Sequence, residues 1–268
     1  KVKQAVHFII GKKPDLVIST GDHVAGQKRG LDYQAMWDSF HSIVSIPLEN
    51  NNIPFLPTPG NHDASAYPKF QIERDIYKRN FSKEKTGVKF VEASNFPFNY
   101  AFEMGPALFI SLDATTMQLG EKQIDWLENI LSSNEKKYSH TILFGHVPLF
   151  PVAVNREKDY LRDPNLLNVL KKHEVDLWIS GHHHAYYPGK KEGVRFVSTS
   201  CLGGGPRKLL AAGQTTSPKT VLEIIYDSFE LISIEAYKIQ EDYPIVSREL
   251  LPRKVGVDRL KYLHRDDL

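Results

Sequence analysis

The 268-residue sequence has a single cysteine, Cys201, which excludes an internal disulfide framework and any cysteine-rich zinc site. No apolar run approaches the ~18 residues of a membrane span. Lys1 to Gly11 also lacks the long apolar core and small-residue cleavage site of a signal peptide. An excess of one charge is missing as well. The 34 Lys and Arg against 32 Asp and Glu leave a formal +2, so the bulk charge exerts no strong pull toward nucleic acid or anionic membrane. There is no internal repeat, low-complexity segment or linker-like stretch, and Gly203-Gly204-Gly205 is too short to serve as one. What is present is an ordinary globular composition, 41% hydrophobic and 25% charged. The chain is long enough to bury a large core without covalent staples. Its eleven histidines are the feature left to explain.

The apolar pattern predicts helices over 2–10, 33–44, 68–80, 121–132 and 164–173. It predicts strands over 15–21, 98–103, 107–112, 140–144, 175–180, 194–199, 220–226 and 229–238, with 52–58 extended between prolines. Alternation of helix and strand up to residue 180 implies α/β layering, followed by a more β-rich second half. One domain is expected over 1–241, and 242–268, with its two prolines, is read as an irregular strap.

Four polar clusters follow apolar runs and open with glycine: Gly21-Asp22-His23, Gly60-Asn61-His62-Asp63, Gly145-His146-Val147-Pro148 and Gly181-His182-His183-His184. These positions are the C-terminal ends of expected strands, where α/β folds place ligand sites. Glycine there lets the backbone turn sharply so that the next side chain points over the strand ends. Asp22 and Asn61 are 39 residues apart, Asn61 and His146 85, and His146 and His182 36, so only a fold brings them together. Converged, they supply a carboxylate, an amide oxygen and several imidazoles. That mix is poor for calcium and suits Zn, Fe, Mn, Co or Ni. A carboxylate can bridge two metals through its two oxygens, which makes Asp22 the bridging candidate. Two metals ~3.5–4 Å apart can clamp a phosphoryl group and generate hydroxide at neutral pH.

The ordered set GD, GNHD, GHVP and GHHH resembles the motifs of the calcineurin-like metallophosphoesterase superfamily over roughly residues 15–207. Gln123-Ile-Asp-Trp-Leu127 and the run from Ser198 to Arg207 resemble that family's segments before GH and after GHxH. The resemblance implies an α/β fold, a four-layer α-β-β-α sandwich with two mixed β-sheets. It also implies hydrolysis of a phosphomonoester or phosphodiester by a dinuclear metal centre, without a covalent phospho-enzyme. Carried over, Asp22 bridges the metals, Asn61, His146 and His182 complete the second metal site, and His184 belongs to the first. His62 protonates the leaving group or clamps the phosphate, with Asp63 orienting its ring. His23 and Arg207 are candidates for substrate contact, Arg207 because a guanidinium can meet a phosphate bidentately. The implied cofactors are two transition metals, Mn, Fe or Zn, and the implied partner is a small phosphorylated substrate.

The family's first motif, Asp-x-His on the first strand, is not found in the 21 residues before Asp22. The expectation is a first strand lying outside this sequence. The alternative is a degenerate first site on a non-catalytic binding module. Ala25 stands where relatives of the purple acid phosphatase type carry Tyr and cyclic-nucleotide phosphodiesterase relatives often carry Asp, which weakens both assignments. His183, between two ligands, is expected to point away from them in an extended segment, toward the surface or behind the ligands. His41, His140, His173 and His264 are read as surface or structural.

Overall fold

A computed structural model describes every residue except 84–85, 214–215 and 259–260. Nine strands form one mixed sheet in the order β12-β13-β8-β9-β7-β6-β5-β4-β3. Its centre is parallel: β5 (Ala107–Ser111), β6 (His140–Gly145), β7 (Leu177–Ser180) and β9 (Val194–Ser198). The β5, β6 and β7 segments are apolar almost throughout because both faces of the sheet are covered. Helices α5 (Glu121–Ser133) and α6 (Leu166–Lys172) make the crossovers between β5, β6 and β7. They bury Leu127 and Leu131, and Leu166, Val169 and Leu170, against one face, the i, i+3, i+4 spacing of an amphipathic helix.

The other face carries a second apolar core, with Tyr100, Phe102, Phe109, Phe144 and Ile179 from the large sheet. Leu56, Leu222, Ile224, Ile234 and Ala236 meet them from two smaller sheets. One is the parallel pair β1 (Val17–Ile18) and β2 (Phe55–Leu56), and the other the antiparallel hairpin β10 (Thr220–Tyr226) and β11 (Leu231–Lys238). Helix α1 (Val2–Lys12) covers the hairpin's outer side, where Phe8 packs on Tyr237 and Lys12 pairs with Glu223. The layer order is therefore α-β-β-α, as expected. The second sheet differs from expectation in standing as two ladders rather than one.

Several elements differ from the periodicity. The predicted strand 15–21 pairs only over Val17–Ile18, because the chain turns into the Gly21-Asp22 loop directly afterwards. The predicted helix 33–44 continues from α2 (Tyr33–Phe40) through a π-helical turn at His41–Ser45 into α3 (Ile46–Glu49), with Pro47 in the opening turn of α3 where no N–H is needed. Strands β3 (Lys89–Asn95) and β8 (Tyr187–Lys191) have no counterpart among the predicted strands. The strap after residue 242 also pairs: β12 (Lys254–Val255) joins β13 (Leu263–Arg265), which joins β8 at the sheet edge. β4 (Asn99–Met104) and β5 form the expected hairpin around Gly105-Pro106.

Candidate metal centre

All four glycine-led clusters lie just beyond the C-terminal ends of parallel strands: β1, β2, β6 and β7. The first two loops touch backbone to backbone. A Cβ on Gly60 would sit 2.1 Å from Asp22 N, and one on Gly26 would sit 1.5 Å from His62 O. Only glycine permits that approach. Asp22, His182 and His184 all adopt left-handed φ values, +58°, +59° and +53°. For non-glycine residues that conformation costs roughly 1–2 kcal/mol each. Three such residues in one site are held there by their surroundings.

The side chains of Asp22 and His182 meet, with that of Asn61, at His146. Its Nδ1–H donates to Thr20 O at 2.6 Å, which turns Nε2 toward the cleft. Within reach of that Nε2 are Asn61 Oδ1 at 2.9 Å, Asp22 Oδ2 at 3.2 Å and His182 Nδ1 at 3.2 Å. Asp22 is held from its other oxygen by the His62 backbone N–H at 2.9 Å. Lone pairs facing lone pairs need a positive charge among them. In the free chain a proton on His146 supplies it. Burial disfavours that proton, but the Asp22 carboxylate outweighs burial and holds His146 above its usual range. Burial likewise opposes the charge on Asp22, yet His146 and His62 hold its carboxyl well below the usual carboxylate range. Burial, then the neighbouring imidazoles, push His182 down to about 2, so it stays neutral. Its buried Nε2 has no hydrogen-bond partner among the described residues, the nearest acceptor being Asp159 Oδ2 at 3.8 Å.

These donors fit a transition metal: one carboxylate, one amide oxygen and two neutral-capable imidazoles, with a backbone carbonyl behind them fixing the tautomer of His146. Among the described residues no group of three or more His, Cys, Asp or Glu side chains is arranged as a ready metal cage; Asp22, Asn61, His146 and His182 would have to exchange their mutual contacts for an ion. His184 sits apart. Its Nδ1–H donates to Gly205 O at 2.9 Å, and Gly204 packs on the ring so closely that a Cβ would lie 2.7 Å from Cε1. Burial lowers its pKa.

Two expected roles are corrected. Asp63 does not orient His62. Its Oδ2 accepts from His23 N–H at 2.6 Å and His23 Nδ1–H at 2.5 Å, and its Oδ1 accepts from Gly60 N–H at 2.7 Å. The His62 ring is exposed, with Nδ1 3.3 Å from Gly26 O. His23 does not face substrate. Its side chain is 2% exposed, Nε2 lies 2.6 Å from Ser19 Oγ, and Trp37, Phe40, Phe55, Tyr77 and Phe81 surround it. The Ser19–His23–Asp63 chain is thus a buried brace joining the Asp22 and Asn61 loops.

His183 points away from its neighbours and lies behind them, as expected, but between two left-handed residues rather than in an extended segment. It is fully buried; Nδ1 accepts from Val152 N–H at 3.2 Å and Nε2–H donates to Asp159 O at 2.7 Å. Arg207 lies beside the same loop, its backbone N–H donating to His184 O at 3.0 Å. Sequence reasoning missed Arg156, whose charge acts on His182, His183 and Arg207. Its only sequence signal is a charge in an irregular loop.

The sequence profile of calcineurin-like phosphoesterases matches residues 1–186. Among curated proteins, the serine/threonine-protein phosphatase CPPED1 of Rattus norvegicus is 24% identical over 219 residues, covering 75% of this chain and 64% of that protein. The manganese-dependent ADP-ribose/CDP-alcohol diphosphatase of Arabidopsis thaliana is 30% identical over 67 residues, 25% of this chain and 22% of that protein. Among solved structures, purple acid phosphatase PPD1 from yellow lupin superposes with a TM-score of 0.67 at 20% identity. That match covers 91% of this chain and 48% of the lupin chain. The chain thus spans slightly under two thirds of the rat phosphatase and about half of the lupin enzyme.

Proposed function

The chain belongs to the calcineurin-like phosphoesterase family, and on that basis we propose that it hydrolyses a phosphate ester at a metal centre. Asp22, Asn61, His146 and His182 would hold one ion, and Asp22 with His184 would contribute to a second. The observation that carries this reading is the convergence of three donor atoms within 3.2 Å of His146 Nε2, a cluster that needs a cation or a proton at its middle. Metals there supply Lewis acidity toward a phosphoryl oxygen and toward the attacking water.

The chain's own residues do the rest. Thr20 O fixes the His146 tautomer, and the Asp63–His23 brace keeps the Asp22 and Asn61 loops in register. His62, exposed and with its backbone tied to Asp22, would give a proton to the departing ester oxygen. Arg207, beside His184, would contact the phosphoryl group. Mn, Fe and Zn all suit this donor set, and the manganese named for the Arabidopsis relative makes it the first ion to supply. The substrate class proposed is a small phosphorylated molecule. The rat relative's name adds phosphorylated serine or threonine to the panel.

The test is elemental analysis after dialysis against Mn, Fe or Zn, alongside hydrolysis of a chromogenic phosphomonoester and phosphodiester. Retained metal with hydrolysis is expected. Neither retention nor hydrolysis, with the fold intact, would overturn the proposal. A second reading, a non-catalytic binding module, is favoured by the two protein donors available for the second ion, Asp22 and His184. Metal retention without hydrolysis of any ester would select it.

A further inference from the structure

Around the His182–His184 loop three buried nitrogens have no hydrogen-bond partner among the described residues: His182 Nε2, Arg156 Nε and Arg207 Nη1. The first is accounted for by the proposed metal. The other two are guanidinium donors, for which a metal is no partner at all. The topology places them together. Segment 152–154 pairs with 208–210, through Leu210 N–H to Val152 O at 2.8 Å, Val154 N–H to Lys208 O at 3.0 Å and the Ala153–Leu209 bridge. That pairing brings Arg156 and Arg207 to the same loop, where both charges act on His183.

Each is anchored there. Arg156 Nη1 donates to Asp159 Oδ2 at 2.5 Å, while Asp159 O accepts from His183 and its carboxylate lies 3.8 Å from His182 Nε2. Arg207 is tied by its backbone to His184 O. The two guanidinium groups are close enough that Arg156 adds to burial in lowering the pKa of Arg207. Asp159 is the one carboxylate shown paired with either of them among the described residues. Two fixed forks of like charge, each with an idle buried donor, call for an anion carrying several acceptor oxygens.

We infer that Arg156 and Arg207 form a two-guanidinium clamp on the phosphoryl group that selects phosphomonoesters over phosphodiesters. The inference rests on the phosphoesterase reading above. A monoester dianion has three non-bridging oxygens, so acceptors remain for the arginines after metals have taken others. A diester has two such oxygens, one unit less charge, and an ester carbon in place of the third acceptor. The clamp therefore rewards the dianion and leaves an arginine donor idle with the diester.

The experiment uses the metal-loaded chain, with inorganic phosphate as the binding probe in calorimetry. p-Nitrophenyl phosphate and bis(p-nitrophenyl) phosphate serve as the substrate pair. R156Q and R207Q are expected each to weaken phosphate binding and to lower monoester kcat/KM by about 10- to 100-fold, the worth of a charge-assisted hydrogen bond. Diester kcat/KM should fall several-fold less than monoester kcat/KM in both variants, so that the monoester-to-diester ratio drops, with metal content unchanged. R207K, which keeps the charge and loses the fork, is expected to recover only part of the monoester preference. Phosphate affinity and a monoester-to-diester ratio indifferent to both glutamine variants would overturn the clamp. No phosphate binding by the unmodified chain would overturn it too. If the chain binds phosphate through both arginines yet cleaves neither ester, the hydrolase reading fails while the clamp stands. Hydrolysis with a ratio unaltered in both variants sinks the clamp and leaves the hydrolase reading in place.

Discussion

His183 offers a test of how the site loop is held that does not depend on catalysis. The ring is fully buried and spans two backbone groups, accepting from Val152 N–H and donating to Asp159 O. This arrangement requires the neutral imidazole with its proton on Nε2. A second proton would have to displace the Val152 contact and be buried as well. Burial pushes the His183 pKa from 6.5 down to about 4. The sign follows from linkage: the unfolded chain binds a proton below pH 6.5 and the folded chain does not until near pH 4. The stabilisation is therefore complete above pH 6.5 and lost as pH falls through that window. At one pKa unit per 1.36 kcal/mol, His183 alone costs the fold about 2 kcal/mol between pH 7.5 and pH 5. His183→Gln can satisfy both backbone groups without titrating. Urea unfolding of both chains, metal-free, across pH 5–8 is the assay. The unmodified chain is expected to lose about 2 kcal/mol relative to the Gln variant as pH drops from 7.5 to 5. Parallel curves would refute the buried neutral histidine.

Other predictions concern the site itself. His62→Ala is expected to lower turnover by about 100-fold or more, the range of a general acid, while metal content measured by elemental analysis stays level. Equal loss of both would make His62 a ligand or a structural residue. Asp63→Asn removes an acceptor from a buried carboxylate that receives three N–H donors and should cost about 2–3 kcal/mol in urea unfolding. A change within experimental error would show that the brace is not needed. Metal affinity should fall as pH drops through the His146 titration, because Asp22 holds that proton on, with a slope of about one proton per ion. His182, held down to about 2, adds nothing to that slope between pH 5 and 8. A slope of zero or two, read by competition with a metal dye, contradicts this assignment.

The donors of the site are legible in the sequence because each follows a glycine at a strand end. The pattern apolar run, glycine, polar residue is local and survives whatever the rest of the chain does. Their partners are not legible. Asp63 is adjacent in sequence to His62, yet its oxygens go to His23 and Gly60, since the turn at 60–63 folds the carboxylate back under the loop. His183 does face away from its neighbours, but its burial depends on segment 152–159 crossing behind it, which no local pattern announces. Arg156 is invisible for the same reason: its distant neighbours are His182, His183 and Arg207, brought to it by the pairing of 152–154 with 208–210. Strand β8, two strands in from the edge, escapes notice because Pro188 and Gly189 break the usual β signature. Such residues are tolerated near edges, and here β13 pairs only briefly along β8.

The pair β1–β2 and the nine-stranded sheet share no ladder hydrogen bonds. Between them lies an oily layer, and apolar contact is non-directional, so it resists separation far better than sliding. Directional contacts at the rim fix the slide position: His146 to Thr20 O and Asn61, and Thr20 Oγ1 to Thr199 Oγ1 at 3.2 Å. An ion gripped by Asp22 and Asn61 on one plate and by His146 and His182 on the other would act as a pin through a lap joint. Its removal should show first as shear, in faster exchange of the His146 Nδ1 proton, which donates across the joint to Thr20 O. The interior of β6 and β7 should stay protected until the whole fold opens.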